Sequence, residues 1–279
     1  MYGLGAPPGR RLGEGEAVTD DRRTQLADNL AQVEERISAA CSKAGRPRDE
    51  VTLIVVTKTY PASDVRLLAE LGVRHVAENR DQDAAPKAAE CADLPLTWHF
   101  VGQLQTNKVR SVAGYAGIVQ SVDRPKLVTA LSREAVRTGR ELGCLIQVAL
   151  DAESGNAGGV GGSGAGRVGG SSTARIAARA DRGGAAPDAV PALGEAIAGA
   201  QGLRLDGVMT VAPLSGPYAG RQLAAFERLM EISSDLRATH PAANMVSAGM
   251  SADLEDAVAA GATHVRVGTA VLGVRPRLG

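Results

Sequence analysis

Val51-Thr-Leu-Ile-Val-Val-Thr57, followed at once by Lys58-Thr-Tyr-Pro61, is the stretch on which the fold turns. The first seven residues are apolar or β-branched throughout, as in a strand buried on both faces. Lys-Thr-Tyr-Pro follows, where an open dinucleotide-binding sheet would carry a glycine-rich turn. Pro61 and Ser63 open a helix whose apolar face is Val65, Leu68, Ala69 and Leu71, and Gly72 ends it. Upstream, Leu26, Leu30, Val33 and Ile37 recur at helical spacing until Gly45 and Pro47.

The strand–helix beat repeats. Further strands are expected at Arg74–Ala77, Thr97–Val101, Ile118–Val122, Leu145–Leu150, Leu205–Val208, Met245–Ser247 and Thr263–Val267. Helices between them are clearest at Pro125–Arg137, Ala189–Ala200, Gly220–Thr239 and Ala252–Ala260. About eight alternating units in one chain predict an α/β fold, a single TIM-type (β/α)8 barrel over residues 21–279. Residues 1–20, rich in Gly, Pro and charge, read as a disordered tail without the apolar core of a secretory signal. Residues 152–187 are about one-third glycine, so they lack the large side chains of a core and read as a mobile insertion after the fifth strand.

Composition narrows the function classes. Lys plus Arg and Asp plus Glu both number 31, and aromatic residues are 3% of the chain, which disfavours a nucleic-acid or anionic-membrane partner. Cys41, Cys91 and Cys144 are scattered and read as reduced thiols of a cytoplasmic protein. No metal-ligand spacing and no GxSxG motif stands out.

Lys58 is the sharpest candidate. It ends the first strand, at the barrel face where active sites collect. Partial burial there would disfavour the ammonium and leave an amine able to attack an aldehyde; a lysine reaching outward from a strand end is the alternative. Gly268-Thr269 after the last strand, and Ser247-Ala-Gly-Met-Ser251 after the one before, suit a phosphate. Arg266 shares a strand face with Gly268 and needs a partner: a ring nitrogen, a phosphate or a carboxylate. Asn79 stands at the catalytic end of the second strand, and His99 lies within the third.

Val55–Pro61, Glu78-Asn79, Trp98-His-Phe-Val-Gly-Gln-Leu-Gln-Thr-Asn-Lys108, Gly207–Pro213, Ser247–Asp253 and Arg266–Ala270 occur in an order that resembles the YggS/PROSC family of pyridoxal 5′-phosphate (PLP) homeostasis proteins. The resemblance spans roughly residues 22–279, apart from the insertion. It implies a barrel like the N-terminal domain of alanine racemase, with Lys58 holding PLP as a Schiff base. It places Gly268, Thr269, Ser247 and Gly249 at the phosphate and Arg266 at the pyridine nitrogen, with Asn79, His99 and Met250 also against the cofactor. The chain departs from the family at Ala77 and Arg80 around Glu78-Asn79, at Ala248, at Gln120 where a histidine is usual, and in the insertion. A carrier of PLP, handing it to apo-enzymes with little turnover, is the expected function, and a monomer the expected state. An amino-acid racemase is the alternative. It needs a second acid/base, and Tyr2, Tyr60, Tyr115 and Tyr218 show no claim to that role. A Schiff-base aldolase acting on another phosphorylated metabolite is the third reading.

Overall fold

The computed structural model describes residues 14–152 and 183–273. Eight parallel strands close into a barrel in sequence order. They are β1 (Thr52–Val56), β2 (His75–Glu78), β3 (Thr97–Phe100), β4 (Ile118–Val122), β5 (Leu142–Gln147), β6 (Leu203–Met209), β7 (Met245–Ser247) and β8 (His264–Val267). The helices are α1 (Glu14–Lys43), α2 (Ala62–Glu70), α3 (Asp81–Glu90), α4 (Val109–Tyr115), α5 (Pro125–Thr138), α6 (Val190–Ala198), α7 (Gln222–Thr239), α8 (Leu254–Ala260) and α9 (Thr269–Leu272). The predicted barrel is therefore the observed one.

Strand alternation sorts the side chains. Val55, Val265 and Val267 point outward and pack with Leu26, Val33 and Ile37 of α1 and Leu68 of α2. Ile118, Leu145 and Met209 point inward and form an apolar plug with Met245. Helix ends follow local chemistry. α5 starts on Pro125, whose missing N–H is no loss in a first turn, and stops at Gly139 in the left-handed conformation.

The helix after β8 is only four residues long, and α1 covers the seam where β8 meets β1. Asn29 donates to the Val271 carbonyl, Arg36 pairs with Glu255, and Arg46 donates to the carbonyls of Val258 and Ala262. The bonds from Asn29 and Arg46 give the carbonyls at and just past the C-terminal ends of α8 and α9 side-chain donors, where helical hydrogen bonding runs out.

Two expectations are corrected. The tail was expected to run to residue 20, but α1 begins at Glu14; the charged stretch Glu14–Asp21 contains no proline and extends the helix backward. The insertion was expected to reach residue 187, but its last part is built into the barrel. Ala185 is buried and bridges Val148, exchanging backbone bonds with Gln147 and Ala149. Its small residues are what permit this, since a side chain at Gly184 would meet the Ala149 Cβ at 2.9 Å. The rest of the insertion lies outside the described residues, as do residues 1–13 of the tail.

Candidate functional site

Lys58 follows β1 as the second residue of a tight turn. The Thr57 carbonyl accepts from the Tyr60 N–H at 3.1 Å, which closes Thr57–Tyr60. Thr59, in the third position, has φ of 70°, a conformation that costs a β-branched residue energy and is usually left to glycine. The partial burial expected of Lys58 is not found: its side chain is exposed at the barrel mouth. The turn projects it beyond the strand end, out of the packed interior.

The ends of β1 and β8 lie side by side. Val55 pairs with Val267, so Val56 stands next to Gly268. A Cβ on Gly268 would sit 3.2 Å from the Val56 carbonyl oxygen. Lys58 thus neighbours the Gly268-Thr269 turn that opens α9, with the Thr269 side chain exposed. On the other flank Val56 pairs with Ala77, which brings the end of β2, and Asn79 beyond it, beside the Lys58 turn. Gly102 packs so closely under Asn79 that a Cβ there would fall 2.0 Å from the Asn79 carbonyl oxygen.

Beneath the mouth runs a directed string of hydrogen bonds. Arg266 is 4% exposed and lies in the barrel interior. Its Nη1 donates to Ser247 Oγ at 2.6 Å and its Nη2 to the Thr210 carbonyl at 2.7 Å. A guanidinium only donates, so the Ser247 proton turns to Gln120 Oε1 at 2.7 Å. Gln120 then offers Nε2 to His99 Nδ1 at 2.9 Å, which leaves the His99 proton on Nε2, facing His75 Nδ1 at 3.0 Å. His264 completes the cluster, its ring 6.5 Å from that of His75. Burial holds all three histidines below their ordinary range: His99 well below, His264 at about 4, His75 in the same direction. They are neutral at pH 7.

Arg266 has no carboxylate partner within salt-bridge distance among the described residues, so the ion-pair alternative finds no support. Burial pulls its pKa down to about 10, with Asp253 opposing weakly, and the group stays charged at neutral pH. Two of its five N–H groups are accounted for by neutral oxygens. A cation held this way inside a barrel is ready to donate to a lone pair or an anion entering from the mouth.

The other predicted residues divide. Gly249, with φ of 83°, and Met250, exposed, lie in the loop after β7; Asp253 ties that loop by accepting from the Met250 N–H at 2.5 Å. Ser247 and His99 are fully buried, with their polar atoms engaged in the string. Three contributors were not singled out in the sequence. Thr210 gives only a backbone carbonyl, which no side-chain pattern announces. His75 and His264 read as polar strand starts, and only barrel closure brings them together. Among the described residues no group of three or more His, Cys, Asp or Glu is placed to hold a metal, and no helix is long and apolar enough to cross a membrane.

Known proteins share this architecture. The family described as alanine racemase, N-terminal domain, matches residues 175–276. The pyridoxal phosphate homeostasis protein of Pseudomonas aeruginosa is 38% identical over 250 residues, covering 90% of this chain and 96% of its own. That of Escherichia coli is 32% identical over 253 residues, covering 90% and 97%. Among solved structures, PipY of Synechococcus elongatus with PLP bound superposes with a TM-score of 0.68 at 31% identity, covering 89% of this chain and all of that one. Alanine racemase of Clostridium difficile shares the fold at 15% identity and a TM-score of 0.59, this chain spanning 58% of its length.

Proposed function

The chain belongs to the family of pyridoxal phosphate homeostasis proteins, and from that premise we propose that it binds PLP as a Schiff base on Lys58 and acts as an intracellular carrier with little or no turnover. The single observation that carries the reading is Arg266: a buried guanidinium, partnered among the described residues by neutral oxygens, beneath a mouth that bears an exposed lysine. PLP offers what each lacks, an aldehyde for the amine and a ring nitrogen for the cation.

The residues present fit that ligand. Lys58 would hold the aldehyde carbon, and the turn that carries it stands beside Gly268 and Thr269, which with the Gly249-Met250 loop would receive the phosphate. Asn79 lines the same mouth. Ser247 supports Arg266, because its proton is already given to Gln120, and His99 serves as a floor beneath it. Bound PLP supplies an electron sink whose strength rises when its ring nitrogen is protonated. Arg266 would donate to that nitrogen and keep it an acceptor, which would restrain the sink. Holding the cofactor is thereby favoured over turning over amino acids.

The test is a transfer assay. Protein loaded with PLP is mixed with an apo PLP-dependent enzyme and the recovered activity is followed, while alanine and serine racemisation are measured in parallel. Recovery of the apo-enzyme with negligible racemisation supports the carrier. Racemisation at ordinary enzyme rates, ~1–10³ per second, contradicts it.

A further inference from the structure

Outside the barrel wall, a second polar group meets the Lys58 turn from behind. Thr57, Glu78 and Lys87 are all buried, with exposures of 0%, 0% and 7%. Lys87, on α3, donates from Nζ to Glu78 Oε1 at 2.5 Å and to the Thr57 carbonyl at 2.8 Å. Thr57 Oγ1 donates to the same Glu78 oxygen at 2.7 Å. The Thr57 carbonyl is also the acceptor that closes the turn, so it takes two donors, the Tyr60 N–H and the Lys87 ammonium. At the far side of the turn, Tyr60 donates its hydroxyl to the Gly273 carbonyl at 2.5 Å.

This is an expensive arrangement for mere stability. A buried ion pair gives up hydration that its mutual attraction barely returns, and an apolar pair of the same shape often serves a fold as well. Here the pairing is also incomplete, because Glu78 Oε2 is buried with no hydrogen-bond partner among the described residues. What the charges achieve that apolar side chains could not is a strong, directional hold on one carbonyl. That carbonyl belongs to the residue before Lys58, in a turn whose Thr59 is kept in an unfavourable conformation. An exposed lysine side chain has many rotamers, so the direction in which it leaves the backbone decides how often its amine reaches a bound aldehyde.

We propose that Lys87 and Glu78 are positioning residues for the Schiff base: their buried ion pair fixes the Lys58 turn so that the amine is presented to the PLP aldehyde. The inference rests on the reading of Lys58 given above. The step it serves is addition of the Lys58 amine, once its proton has passed to solvent, to the aldehyde carbon, followed by loss of one water to leave the C=N bond. Lys87 and Glu78 take no part in that exchange of atoms.

The experiment compares two ligands on the full chain. Pyridoxamine 5′-phosphate has the ring and phosphate of PLP but no aldehyde, so it reports the pocket without the lysine. The double variant Lys87→Met/Glu78→Met removes both charges together and leaves none unpaired. It is expected to form the Schiff-base absorbance roughly tenfold more slowly and to bind PLP roughly tenfold more weakly, with pyridoxamine phosphate affinity changed by less than about twofold. Should the double variant fail to fold, Thr57→Val, which keeps the carbonyl and the shape but drops the hydroxyl, is expected to show the same selective effect at about threefold. Equal loss for both ligands, or no loss for either, overturns the proposal and leaves Lys58 as the anchor untouched. Borohydride labelling of the wild type keeps the two readings apart. If no label is found on Lys58, the anchor itself is wrong and the positioning role falls with it.

Discussion

Arg266 Nη1 and Ser247 Oγ meet at 2.6 Å inside the barrel, and that one bond orients every hydrogen bond that follows it to Gln120, His99 and His75. The direction cannot reverse, because a guanidinium has no acceptor. The string therefore ends on two neutral histidines of defined tautomer, and the positive charge stays at the Arg266 end.

Breaking the string in the middle gives the first prediction. Gln120→Leu leaves the Ser247 proton and His99 Nδ1 buried without partners, at a cost of about 1–3 kcal/mol per orphaned group. Denaturant unfolding should show that loss, and PLP affinity should fall as well, because Arg266 is no longer held by an oriented Ser247.

Acid sensitivity follows from the histidines. Their folded pKa values lie below the unfolded value near 6.5, so below that pH the unfolded chain binds protons that the folded one does not. Stability is full above about pH 6.5 and falls as pH drops. For His264 the loss continues to about pH 4 and amounts to about 3 kcal/mol. Unfolding midpoints measured from pH 7 to pH 4 should decline, and His264→Gln should flatten the decline.

Close backbone approaches at the mouth predict two glycine effects of different size. In Gly102→Ala the new Cβ would lie 2.0 Å from the Asn79 carbonyl oxygen, so the loop after β2 must move. A loss of about 1–3 kcal/mol in stability is expected, together with weaker PLP binding. In Gly268→Ala the nearest atom is at 3.2 Å, a smaller conflict, but it falls on Val56 just below the Lys58 turn. Stability should change little while PLP affinity drops, as calorimetric titration would show.

Arg266→Met separates a ligand-directed cation from a structural one. Among the described residues the guanidinium is held by Ser247 and the Thr210 carbonyl, and its removal leaves no paired carboxylate behind. The fold is expected to survive at a cost of about 1–3 kcal/mol for each acceptor left without its donor, while PLP binding weakens by more than roughly tenfold.

The barrel was legible because its strands are short β-branched runs set between helices with clear stops, Val51–Thr57 above all. β5 begins at Leu142, not at the expected Leu145. Gly143 and Cys144 dilute the β-branched signal, and Gly143 is small because a Cβ there would meet Asp206 Oδ2 at 2.1 Å. α3 was not among the clear helices: Pro86 interrupts it, and its apolar face is mostly alanine. In the site, Lys58, Arg266 and the Gly268-Thr269 turn could be read from strand-end positions and alternation. Lys87 could not, because in Asp-Gln-Asp-Ala-Ala-Pro-Lys it looks like one more surface charge. Its burial is set by Glu78 and Thr57, which lie on two other segments of the chain.

The measurement that tests the central claim most directly is reduction of the PLP-loaded protein with borohydride, followed by peptide mapping of the label. The account predicts a visible Schiff-base absorbance that borohydride abolishes, with the phosphopyridoxyl label on Lys58 and strongly reduced in Lys58→Ala. A wild type without that absorbance, or one whose label lies on another lysine, would contradict it.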